Sequence, residues 1–94
     1  MPLKTNPHIR RSILDIVDRH LSSGDPPQTR ETHQRLLAEG ISDQEARELI
    51  ACVVSCELFR ARRDNREFDL ERFSQGLAHL PVLPWDAPDG PYAD

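Results

Sequence analysis

The run SDQEARELIACVVSCELFRARR, residues 42–63, decides how this chain folds. It opens on Ser42-Asp43-Gln44-Glu45, a capping box in which the Ser hydroxyl and the Glu carboxylate each satisfy an amide that a helix start would strand. Ala46, Leu49, Ile50, Val53, Val54, Leu58 and Phe59 follow, with neither proline nor glycine before Arg63. The spacing predicts a helix over 43–63, on the order of 30 Å long. Its apolar residues span a wide arc, so this helix is expected at the centre of the fold.

Upstream, Asn6-Pro7 reads as an N-cap followed by a proline at the first helical position. Ile9, Ile13, Ile16, Val17 and Leu21 then recur at helical spacing, which predicts a helix over 7–23. Gly24 suits a left-handed helix end, and Asp25-Pro26-Pro27 blocks continuation. A second, short helix is expected over 28–39, anchored by Leu36 and Leu37 and held by tertiary contacts. Downstream, Asp64-Asn65 is a connector, and Phe68-Asp69 resembles an N′ and N-cap pair with Phe68 stapled onto Phe73. Leu70, Phe73, Leu77 and Leu80 line a fourth helix over 69–80, which Pro81 stops. Residues 81–94 hold four prolines and three aspartates without helical period, a composition that favours an extended or partly disordered tail. The fold class that follows is all-α: one domain over 1–80, a small antiparallel four-helix bundle with helix 28–39 as a strut, and a proline-rich C-terminal tail.

A chain of 94 residues has room for one core and little room for a large substrate cavity. The net charge of −4 opposes whole-surface attraction to nucleic acid or anionic lipid. No apolar run approaches the length of a membrane span, and Met1-Pro2-Leu3-Lys4-Thr5 lacks the apolar region of a secretory signal. A cytoplasmic location is the expectation. Cys52 and Cys56 lie side by side on one helix, where a mutual disulfide would need backbone movement. They read as small buried apolar residues; no third or fourth cysteine completes a metal site.

His20, His33 and Glu57 stand where the helical period demands apolar residues. A buried carboxylate must be paired or protonated, so Glu57 requires a partner. The favoured account is a buried polar network of Glu57 with His20, Arg10 or Arg60. The alternative gathers His20, His33 and Glu57 as ligands for zinc or non-haem iron; no cofactor is otherwise expected. Arg60, Arg62, Arg63, Arg66 and Arg72 form the one concentrated basic stretch, and they suit a helix end better than a nucleic-acid site. Asp64, Glu67, Asp69 and Glu71 dilute the patch, and no stacking aromatics interleave it. Leu83 and Trp85 in the tail either dock onto the bundle or enter a partner's groove. No nucleophile, base and orienter can be assembled, so no enzymatic activity is expected.

Asn6-Pro7 with Ile9, Asp25-Pro26-Pro27 with Thr29 and Thr32, Arg35-Leu36 with Gly40, Ala46, Glu57, and Phe68-Asp69 with Arg72-Phe73 occur in that order. In this order they resemble a bacterial family of uncharacterised small helical proteins, over roughly Asn6 to Pro84. The resemblance implies the helical fold and carries no activity with it. Family members often bear histidines one turn apart in the first helix, at the positions of Arg10 and Leu14 here, so any metal site built on those histidines would be missing from this chain. The leading functional expectation is a small bacterial protein–protein interaction module, acting through an exposed helical face or the Trp85 tail and able to self-associate. Neither membrane nor nucleic acid is the expected partner.

Overall fold

The computed structural model describes residues 7–92. Among these residues four helices follow one another: α1 (Pro7–Ser23), α2 (Pro27–Ala38), α3 (Asp43–Arg63) and α4 (Leu70–His79). A 3-10 turn at Pro84–Asp86 comes after them, and no strand occurs among the described residues. The Asn6 cap expected for α1 lies outside that range.

Local chemistry sets the helix ends. Gly24, at φ 73°, donates its amide to the His20 carbonyl at 2.9 Å and closes α1. Pro27 begins α2 one residue before the expected start, since its fixed φ fits the first helical position. Gly40, at φ 92°, lets two amides turn back, its own to Leu37 at 3.0 Å and that of Ile41 to Leu36 at 3.1 Å. Asn65, at φ 53°, ends α3 in the same way, with the Arg66 amide on the Ala61 carbonyl at 2.8 Å. Ser42 Oγ accepts from the Glu45 amide at 3.2 Å, and Asp69 Oδ1 from the Arg72 amide at 3.0 Å. Phe68 packs on Phe73 with ring centroids 5.1 Å apart, as the staple predicts.

α3 touches α1, α2, α4 and the 3-10 turn. Its buried residues, Ala46, Ile50, Ala51, Val53 and Val54 among them, meet Ile13 and Val17 of α1, Leu36 of α2, and Phe73 and Leu77 of α4. The core thus surrounds the helix that the sequence places centrally, in a body of radius of gyration 12.3 Å. Of the two anchors expected for α2, Leu36 is buried and Leu37 is not. Thr29, Thr32 and Leu36 share its buried side at three- and four-residue spacing, whereas Leu37, about 100° round the helix, is exposed.

Residues 81–92 depart from an extended or partly disordered tail. They form successive turns, with amide-to-carbonyl bonds from Val82 to His79, Asp86 to Leu83 and Gly90 to Ala87 at 2.9–3.0 Å. Pro84, Ala87 and Tyr92 are buried, and the 3-10 turn rests on α3. Composition misleads here because it averages over positions. Three buried side chains and proline-fixed turns suffice to hold the segment.

Candidate functional site

Glu57 sits two turns before the end of α3 with no exposed surface. Its carboxylate receives the Arg72 guanidinium in a fork, Nε on Oε1 at 2.6 Å and Nη2 on Oε2 at 3.0 Å. The Asp69 amide donates to Oε2 at 2.8 Å, and the Tyr92 hydroxyl to Oε1 at 2.9 Å. Three parts of the chain therefore converge on one charge: α3, the N-terminus of α4 and the tail. The sequence builds this locally, because the Asp69 cap that starts α4 also aims Arg72, three residues on, back toward α3. Burial alone would raise the Glu57 pKa, but the hydrogen bonds from Arg72, the Asp69 amide and Tyr92 outweigh it, and the carboxyl titrates below its ordinary range. Burial and the Glu57 acceptor push the Tyr92 phenol well above its usual value.

The buried network expected from His20, Glu57, Arg10 and Arg60 is corrected accordingly: the side chains that hydrogen-bond Glu57 are Arg72 and Tyr92. His20 Nδ1 instead lies 3.0 Å from Thr29 Oγ1, with the ring edge-on to Phe73. Arg10 reaches across to Glu48 at 2.6 Å. Arg60 is half-buried one turn beyond Glu57. His33 Nε2 meets Asp43 at 2.8 Å, capping the approach of α2 to α3. His20, His33 and Glu57 thus serve three separate contacts, and no group of three His, Cys, Asp or Glu among the described residues is disposed to hold a metal ion. In the basic stretch, Arg72 is turned inward and Arg63 pairs with Asp64 at 3.2 Å. Burial pushes the Cys52 thiol up to about 11 and raises Cys56 as well, so both remain protonated near neutral pH.

Sequence periodicity singles out Glu57 but not Arg72 or Tyr92 as its donors. The signal for Tyr92 is Gly76, a helix-weakening residue inside α4. A Cβ at position 76 would lie 2.7 Å from the Tyr92 ring and 2.8 Å from Val53, so only glycine admits the tail at that distance. In the tail itself Trp85 is 37% exposed and Val82 49%, while Leu83 is half-buried. The tail residues buried most deeply are Pro84, Ala87 and Tyr92.

The surface next to this knot is apolar. A hollow of about 440 Å³ between α1 and α3 is lined by Ile9, Ile16, Leu58, Phe59 and Arg62, among others. A second, of about 300 Å³, shares Ile16 and Leu58 and continues to His20, Pro26, Phe68 and Leu70. Along this joined face Ile9 is 48% exposed, Leu58 38%, Phe59 66%, Phe68 37% and Leu70 42%. Desolvation lowers the His20 pKa against the opposing pull of Asp25, which keeps the imidazole in the face uncharged near neutral pH. The opposite side of α1 is polar. There Arg47 joins Asp18 at 2.8 Å and Arg10 joins Glu48, straddling the α1–α3 seam. No helix among the described residues is long and apolar enough to cross a membrane. Set against family models, curated proteins and solved structures, the chain matches none of them.

Proposed function

We propose that this chain is a small, non-enzymatic bacterial interaction module of the cytoplasm, which binds protein through the apolar face of Ile9, Ile16, Leu58, Phe59, Phe68 and Leu70. Its frame, in this reading, is an antiparallel four-helix bundle closed by the proline-rich tail, consistent with the resemblance to small bacterial helical proteins. The observation that carries the reading is the continuity of that face: five large apolar side chains stand open on adjoining hollows while the core beneath them is complete. At those exposures they present on the order of 500 Å² of apolar surface, near the top of the range of about 300–600 Å² for the largest patch of a monomer. A face of this kind sheds water when a partner covers it, and its hollows supply the relief that gives shape specificity. The Glu57 knot serves it from beneath by fixing Phe68 and Leu70 at the entry to α4.

The test is paired affinity capture from the native host with wild type and Phe59→Ser. Proteins held by the wild type, further copies of the chain included, should be lost with the variant. Identical capture by the two would overturn the reading.

A further inference from the structure

Resting on that reading of the face, we infer that its occupant is a second copy of this chain, laid across it antiparallel about a two-fold axis. Two observations point this way. One is area. Two patches on the order of 500 Å² brought together remove about 1,000 Å², and the polar rim adds to this, which reaches the lower bound of a specific protein interface. A small partner peptide would leave part of so long a face uncovered, whereas an identical face covers it from end to end.

The other observation is charge at the two ends. Arg62 lines the hollow at the Ile9–Phe59 end. Asp25 precedes Pro26 at the Phe68–Leu70 end and lies close enough to act on the charge of His20. Among the described residues neither the Arg62 guanidinium nor the Asp25 carboxylate has an ion pair, although Arg10, Arg35, Arg47, Arg63 and Arg72 each do. A face with a cation at one end and an anion at the other is complementary to itself when reversed. A two-fold axis through its middle sets Arg62 of each copy against Asp25 of the other, and the interface closes at two chains. A parallel arrangement would oppose like charges at both ends. The middle, which the axis crosses, holds Ile16, Leu58 and the uncharged imidazole of His20, so no unpaired charge is buried.

Light scattering across a concentration series decides it. Wild type should show the mass of two chains, and Phe59→Asp the mass of one, with circular dichroism unchanged because residue 59 is largely exposed. Leu70→Ser on the far half of the face should weaken the dimer as well. Arg62→Glu and Asp25→Lys should each loosen it about tenfold, since each change opposes like charges twice, and the double variant should regain most of the loss. A wild-type monomer up to about 100 μM, or a dimer indifferent to Phe59→Asp and Leu70→Ser, overturns the second-copy occupant. A dimer that the double charge variant does not rescue overturns the antiparallel register. A wild-type monomer whose captured proteins still depend on Phe59 overturns this inference alone and leaves the interaction face standing.

Discussion

Glu57 is buried in full, and its two oxygens accept from Arg72, Tyr92 and the Asp69 amide. The weight of such a pair lies in what its loss leaves behind: an arginine facing a low-dielectric interior without its counter-charge. Glu57→Gln should therefore cost about 3–5 kcal/mol at neutral pH, read from denaturant unfolding. The pH dependence has a definite sign. The folded carboxyl titrates below its ordinary value of 4.5, so the stabilisation is complete above 4.5 and is lost as pH falls through the folded value. Wild type should weaken steadily below pH 4.5, while Glu57→Gln should follow a flatter curve, the two converging in acid. The periodicity of α3 makes the burial of Glu57 legible in the sequence. Its donors are not legible in that way, because Arg72 sits within a run of arginines on the next helix and its inward turn depends on the α3–α4 crossing, which no local pattern encodes.

At the level of elements, the boundaries follow from short-range chemistry and so could be read directly. The cap at Ser42, the cap at Asp69 and the glycines at 24 and 40 act within a few residues of themselves. Ser42→Ala should lower stability by about 1 kcal/mol without changing the fold, measured by thermal or denaturant melts. The register of α2 escapes such reading, since Thr29 and Thr32 are buried by packing while Leu37 is left outside. Gly76 is the other case, because its reason lies in the tail sixteen residues away. Alanine there would gain up to about 1 kcal/mol of helix propensity, yet its Cβ meets Val53 and Tyr92 inside contact distance. Gly76→Ala should destabilise by about 1–3 kcal/mol net, seen as a lower melting temperature.

At the largest scale, among the described residues α1, α2 and α4 pack around α3, and the segment 81–92 completes the wall around Glu57 and Val53. A chain ending after Leu80 should keep its helical circular dichroism but lose about 2–4 kcal/mol, the worth of a buried tyrosine and its hydrogen bond to a charged acceptor. Equal melting temperatures for the two chains would show that the tail adds nothing. The all-helical class was legible because it needs only periodicity and caps. The exposed face was not: whether Leu58 and Phe59 point into the core or out of it depends on how α1 and α4 lean on α3, a property of the assembly and not of any segment.

The notch at position 76 also bears on how this protein can change by descent. Volume there is shared among residues 53, 76 and 92, so a lineage that acquires a methyl group at 76 must surrender bulk from the valine or the tyrosine in the same history. Related sequences, lined up on α4, should therefore exchange size among these three sites as a linked set, with the tyrosine failing to persist wherever the glycine has gone.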